Sequence, residues 1–339
     1  MNKPIAITMG CPAGIGPEII VKLYIENKNY LENPHTVVFG DFNIIKNASD
    51  ILKSDIPLYN WQTGEELKPG AINILSLTNL KFDDLIIGKP SETTGRASYI
   101  YISEAIKYAL REDARGIVTA PISKKGLNLA GINYPGHTEI LSSLTGAEEY
   151  LMMLAGKTLK VSLVTIHIPL KKVADSVSPQ NILKTILISH NALKIDFGIK
   201  NPRIAVCGLN PHSGESGMFG DEEEKIIIPA IYEAKKININ ATGPYPPDTI
   251  FYRASKGEFD LVVCMYHDQG LIPLKLLHFN DGVNITLGLP VVRTSVDHGT
   301  AYDIAGKGVA SCESLREAVN TAEEIVKNRL NYFIKSKFS

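Results

Sequence analysis

Four cysteines in 339 residues, Cys11, Cys207, Cys264 and Cys312, with no CxxC spacing among them, leave no disulfide framework to build on. The expectation is reduced thiols in a cytoplasmic protein. Long apolar runs are missing as well. The opening Pro4-Ile5-Ala6-Ile7-Thr8-Met9-Gly10 is interrupted too soon for a signal peptide, and no later stretch is uninterrupted enough to suggest a membrane span. Charge of one sign is also lacking: 35 Lys and Arg stand against 36 Asp and Glu. With no basic stripe, the electrostatic footprint of a nucleic-acid binder is excluded. The sequence has neither the dinucleotide fingerprint GxGxxG nor a Walker lysine and hydroxyl, so a standard Rossmann site is not expected. No internal repeat and no low-complexity linker divides the chain.

What is present is enough apolar material, 44% of residues, for one large or two medium cores. Short β-rich runs at 5–9, 36–40, 72–77 and 116–120 alternate with amphipathic stretches such as 96–110. The pattern continues with runs at 160–167, 203–208, 261–266 and 284–287. Such alternation predicts α/β layers around a substantially parallel sheet. Ser178-Pro179 opens a helix by the cap-then-proline rule, with His190 on it as a structural residue. A final helix from about Ser314 is expected to bury Leu315, Val319, Ala322, Val326 and Leu330. The glycine-rich Gly10-Cys11-Pro12-Ala13-Gly14-Ile15-Gly16-Pro17-Glu18 would let backbone N–H groups approach an anion, but reads first as a tight structural turn.

Polar residues gather where strands end, the place where open α/β sheets bind ligands. Three apolar runs finish in histidine: Val164-Thr165-Ile166-His167, Gly208-Leu209-Asn210-Pro211-His212 and Cys264-Met265-Tyr266-His267. If their strands are parallel neighbours, three imidazoles can converge and leave open positions, as a catalytic His₃ metal site does. A strand-end histidine is equally a polar plug bonded to loop backbone; repetition at three equivalent positions favours ligands. Imidazole-only ligation suits Zn²⁺, Co²⁺, Ni²⁺ or Fe²⁺ better than Mg²⁺. His137 and Thr138 are placed in a turn before a helical run at 140–144, where an anion would find backbone donors. Lys275, Asn284 and Arg293 supply donors suited to phosphate or carboxylate. Gln269-Gly270-Leu271-Ile272-Pro273 is expected to be a turn carrying the chain from His267 to Lys275. The 297–308 loop has glycines that allow a flat ligand to approach. The acidic run Asp221-Glu222-Glu223-Glu224 reads as a helix start.

Thr8-Met9-Gly10, Pro12-Ala13-Gly14-Ile15-Gly16-Pro17-Glu18, Gly136-His137-Thr138-Glu139, Gly208-Leu209-Asn210-Pro211-His212, Tyr266-His267-Asp268-Gln269-Gly270 and Asp297-His298-Gly299-Thr300-Ala301 together resemble the 4-hydroxythreonine-4-phosphate dehydrogenase family, PdxA. The matches run in the family's order over nearly the whole chain. The resemblance implies an isocitrate/isopropylmalate dehydrogenase-like α/β fold of two domains with an active-site cleft between them. We place residues 1–125 plus 290–339 on the cofactor side and 126–289 on the metal, substrate and dimerisation side. It implies a homodimer with the active site at its interface. It further implies NAD or NADP as cofactor and one divalent metal per site, Zn, Co, Mg, Mn, Ni or Fe. The activity implied is oxidation of the 3-hydroxyl of 4-phosphohydroxy-L-threonine to a 3-oxo acid that decarboxylates to 3-amino-2-oxopropyl phosphate, in pyridoxal 5'-phosphate biosynthesis.

Carried over by motif, His167, His212 and His267 look like metal ligands shared across the dimer. His137, Thr138, Lys275, Asn284 and Arg293 look like substrate contacts. His298, Gly299, Thr300 and Asp303 fall in the segment that resembles the superfamily's non-Rossmann cofactor loop. Asp248, Asp268 and Lys275 are the candidates for proton transfer. Two departures stand out. Cys11 occupies a place where the family commonly carries Asp or Glu. Tyr134-Pro135-Gly136 and Pro246-Pro247-Asp248-Thr249 are nearer to a branch that converts 4-phospho-D-threonate or 4-phospho-D-erythronate to dihydroxyacetone phosphate. From the residues alone, a metal-dependent hydrolase or lyase and a non-catalytic phosphometabolite-binding module stay open beside the dehydrogenase.

Overall fold

The computed structural model describes residues 3–337. Twelve strands follow in chain order: β1 (Ile5–Thr8), β2 (Thr36–Asp41), β3 (Leu58–Asn60), β4 (Ile72–Thr78), β5 (Gly116–Thr119), β6 (Leu151–Ala155), β7 (Lys160–Leu163), β8 (Ile204–Cys207), β9 (Ala241–Tyr245), β10 (Leu261–Cys264), β11 (Val283–Leu287) and β12 (Arg293–Val296). The chain forms two compact units, one running to Glu148 and completed by Leu289–Glu323, the other Glu149–Gly288 completed by the chain from Glu324.

In the first unit the strand order is β3-β4-β2-β1-β5-β12, every pairing parallel. A parallel sheet covered on both faces needs strands that are apolar throughout. β1 meets that requirement: Ile5, Ala6 and Ile7 are wholly buried, and Thr8 is nearly so. The helix Glu92–Leu110 packs against β2, β1 and β5. It opens with a capping box in which Ser91 and Thr94 satisfy each other's backbone N–H.

The second unit is mixed. β11 and β6 are antiparallel, as are β6 and β7, whereas β7, β10, β8 and β9 run parallel in that order. Its core gathers Leu154, Val161, Leu163, Ala205, Ile250, Val262, Leu271 and Leu274. Ser178 caps the helix Pro179–Ile195 by accepting from Asn181 N–H at 3.2 Å, and His190 is half-buried on that helix. Among the described residues no helix is long and apolar enough to cross a membrane.

The structure departs from the sequence reading in several places. Residues 126–148 pack with the first unit, because the helices Lys124–Leu129 and His137–Thr145 lie against Glu92–Leu110. The end of the last helix, Glu313–Lys337, packs with the second, where Arg329 donates to buried Asp196 at 2.7 Å and Asn328 donates to the Asp196 carbonyl at 2.8 Å. Leu330, expected in the core, is 56% exposed: the apolar stripe closes at Val326 and a polar clamp takes over. Finally, β3, β6, β9 and β12 are strands that the periodicity does not mark.

Helix-to-helix approach in the first unit is set by Gly95, where an added Cβ would lie 1.9 Å from the Gly126 carbonyl oxygen. Gly95→Ala is therefore expected to force backbone apart and to cost about 1–3 kcal/mol or more, read as a lower urea midpoint with an unchanged slope.

Candidate active site

The first unit gathers polar side chains around Thr119 at the end of β5. Arg293 opens β12 and is 3% exposed, and its guanidinium donates to Thr119 Oγ1 at 2.7 Å. Thr8 stands beside Thr119 in register. Burial pushes the Arg293 pKa down to about 9, and only Glu139 pulls it back. His137 is held well below the usual imidazole range, first by burial and then by the Arg293 charge, so it is neutral at physiological pH. Its Nε2 atom is buried and has no hydrogen-bond partner among the described residues; the same holds for Thr8 Oγ1. The sequence reading put His137 and Thr138 in a turn ahead of the helix. The helix in fact begins at His137, after an extended Gly136, so both occupy its first turn, where N–H groups lack intrahelical acceptors.

The 297–308 loop rests on the glycine-rich turn. The buried Glu18 carboxylate accepts from the N–H of Gly306 and, at 2.6 Å, from that of Gly308. Ile15 N–H donates to the Thr300 carbonyl at 3.1 Å, and a Cβ at Gly14 would meet that oxygen at 3.0 Å. Gly10, at φ +72, passes so close to Pro121 that a Cβ would lie 2.3 Å from its carbonyl oxygen. The glycines thus serve close backbone packing. Cys11 Sγ lies 3.3 Å from Tyr302 OH, and burial with the neighbouring thiol raises the phenol's pKa. His298, Gly299 and Asp303 face solvent, and Thr300 is half-buried.

In the second unit β10 lies between β7 and β8, all parallel, so the three histidine-bearing strand ends are neighbours. His167 and His267 come together, ring centroids 5.7 Å apart. His267 Nδ1 is engaged by Asp268 Oδ1 at 2.7 Å, the carboxylate–imidazole arrangement that orients a metal-ligating histidine and leaves Nε2 for the ligand. His212 is not part of this pair. It lies five residues beyond β8 on a loop of left-handed turns, close to Phe219. Among the described residues no three His, Cys, Asp or Glu side chains gather closely enough in one chain to hold a metal. Asp248 is exposed in the first turn of the helix Pro247–Ser255. Asn284 is half-buried on β11, its Oδ1 buried and without a partner among the described residues.

The segment after His267 is a helix, His267–Leu277, rather than the expected turn, with Pro273 inside it. Gln269 explains the geometry. Its Oε1 accepts from Met265 N–H at 2.7 Å and its Nε2 donates to the Gly208 carbonyl at 2.8 Å, tying the start of the helix to β8. Lys275 follows His267 by about two turns of the same helix. Glu18 in the first unit and Gln269 and Glu223 in the second hold the loops beside these residues and have no such role in the sequence reading, since an acceptor for backbone N–H leaves no periodic signal.

Likeness to solved enzymes fixes the class. The chain matches the crystal structure of a 4-hydroxythreonine-4-phosphate dehydrogenase from Klebsiella pneumoniae with a TM-score of 0.86 and 42% identity, covering 96% of this chain and 98% of that one. It is an α/β enzyme of the dehydrogenase class. More narrowly, the chain belongs to the family described as pyridoxal phosphate biosynthetic protein PdxA, whose model matches residues 32–322. It is 48% identical over 332 residues to the 4-hydroxythreonine-4-phosphate dehydrogenase of Geobacter metallireducens, covering 96% of each chain. It is 45% identical over 327 residues to the D-threonate 4-phosphate dehydrogenase of Salmonella typhimurium, covering 96% of this chain and 99% of that one.

The neutral His137 gives a pH prediction. Below pH about 6.5 the unfolded chain protonates this imidazole while the folded chain does not, so stability drops as pH falls through that range. Urea titrations from pH 5 to 8 should show this slope in the unaltered protein and a shallower one in His137→Gln.

Proposed function

We propose that this chain oxidises the 3-hydroxyl of 4-phosphohydroxy-L-threonine with NAD⁺ or NADP⁺, giving a 3-oxo acid that loses CO₂ to form 3-amino-2-oxopropyl phosphate. The observation that carries the reading is the buried Arg293 beside a neutral His137 whose Nε2 lacks a partner among the described residues. A desolvated guanidinium gains most when an anion arrives, and a buried imidazole nitrogen needs a partner that a phosphate or carboxylate supplies. Thr138 adds direction to the same task, and Asn284 and Lys275 on the second unit are the further candidate substrate contacts.

The donor chemistry of the second unit fits a divalent cation: two neighbouring imidazoles, one already oriented by a carboxylate. His167, His212 and His267 would hold it, with ligands drawn from two copies of the chain. When bound, such a cation would supply Lewis-acid chemistry that eases loss of the hydroxyl proton, and a nicotinamide would supply the hydride acceptor. Asp268 keeps His267 in one tautomer and orientation. Asp248, Asp268 and Lys275 are the groups available to take the hydroxyl proton. His298, Gly299, Thr300 and Asp303 would receive the cofactor on a loop held by Glu18.

A homodimer is supported by the large apolar side chains the second unit leaves exposed, among them Leu276, Phe279, Met218 and Leu170. The four cysteines are buried free thiols, which accords with the reducing cytoplasm. The D-threonate 4-phosphate dehydrogenase relative, nearly as similar as the threonine-type one, favours a second reading in which 4-phospho-D-threonate or 4-phospho-D-erythronate is oxidised to dihydroxyacetone phosphate.

Steady-state rates on the three phosphorylated acids with each nicotinamide decide the substrate, the highest kcat/KM being expected for 4-phosphohydroxy-L-threonine; turnover confined to the sugar acids transfers the assignment to the second reading. Arg293→Met should raise KM for the preferred substrate by about 10–100-fold. Chelation should abolish turnover and added Co²⁺ or Zn²⁺ restore it; activity that persists in chelator removes the metal role.

A further inference from the structure

The loop that carries His212 is held in a conformation its own residues disfavour. His212, Ser213, Glu215 and Ser216 have φ of 51, 55, 42 and 56, in the left-handed region that side chains with a Cβ rarely occupy. Such strain persists only where surrounding structure imposes it. Behind the start of this loop lies Glu223, 2% exposed at the start of the π-helical turn Glu223–Ile227. One of its carboxylate oxygens accepts from the N–H of Leu209 at 2.7 Å and of Asn210 at 2.8 Å. The other accepts from the Asn210 side-chain amide at 3.0 Å, and that amide also donates to Glu222 at 2.7 Å.

Glycines make room for the carboxylate at both ends of the loop. A Cβ at Gly208 would lie 3.0 Å from one Glu223 oxygen, and a Cβ at Gly214 2.7 Å from the other. In all three of these hydrogen bonds Glu223 is the acceptor, so both of its oxygens are engaged. The acidic run 221–224 is thus more than a helix start. Its third member reaches across to the segment between β8 and His212.

We propose that Glu223 is a positioning residue for His212: its carboxylate locks 208–214 so that the imidazole is presented in one orientation to a divalent cation. The inference rests on the metal reading above and extends it to a residue that touches neither metal nor substrate. Outer groups that orient metal ligands typically change affinity by about 10–100-fold when altered.

The test is Co²⁺ titration of the full-length protein, followed by the visible absorption of the bound ion, together with amide exchange. Glu223→Gln keeps the shape but turns an amide NH₂ toward the Asn210 donors. It should weaken Co²⁺ binding about 10–100-fold and speed exchange at Leu209 and Asn210. In a His212→Ala background the same change should have no further effect on Co²⁺, because Glu223 acts through His212. An equal loss with and without His212 would make Glu223 a general structural residue and overturn the proposal, as would unchanged Co²⁺ affinity in Glu223→Gln. If the unaltered protein takes up no Co²⁺, the metal reading itself falls and this inference with it. Should Glu223→Gln fail to fold, Asn210→Ala removes one partner of the carboxylate; it should weaken Co²⁺ in the same direction, and unaltered binding there counts against the proposal.

Discussion

Backbone N–H groups at the mouths of buried parallel strands have to find acceptors, and in this chain side-chain oxygens supply them. Asp41, wholly buried, accepts from the N–H of Asn43, Ile44 and Leu80 and from the Thr78 hydroxyl. Glu18 does the same for Gly306 and Gly308, Glu223 for Leu209 and Asn210, and the Gln269 amide for Met265. An unmet buried N–H costs about 1–3 kcal/mol, so each acceptor largely dictates the path of the loop it serves. His212, His267 and the 297–308 loop follow such anchored segments, and their placement depends on the acceptors.

That dependence explains what could be read from the sequence. The α/β class was legible because parallel strands buried on both faces must be apolar throughout, and β1 and β10 are. The helix at Ser178-Pro179 was legible because capping is local. The strand-end histidines were visible as a change from apolar to ionisable residues. What stayed hidden was long-range: Gln269 reaching Gly208, Glu18 reaching Gly308, and the packing of the helix Lys124–Leu129 on Gly95. The helical state of His267–Leu277 was hidden for a related reason, since Pro273 reads locally as a turn, whereas Gln269 and the contacts with β7 and β10 hold a helix there.

The same pattern separates two kinds of polar burial. Arg293 is buried at electrostatic cost, its pKa pushed down to about 9, and the half-buried His137 is held neutral beside its charge. Asp41 and Glu18 are buried with their donors in place and complete the fold. The first kind marks where chemistry is to be sought and the second what keeps it in register. His267 with Asp268 bridges the two, an imidazole oriented by its own neighbour.

The opening signal, three histidines at neighbouring strand ends, is now divided into a pair within one chain and a third on a strained loop, which the proposed reading joins through a second copy of the chain. A crystal structure of the cobalt-loaded protein, with anomalous difference maps across the cobalt edge, tests that account most directly. It predicts one cobalt peak per site, bonded to nitrogens of His167, His212 and His267 drawn from two copies. A peak that lacks any of the three, or that lies away from them, would contradict it.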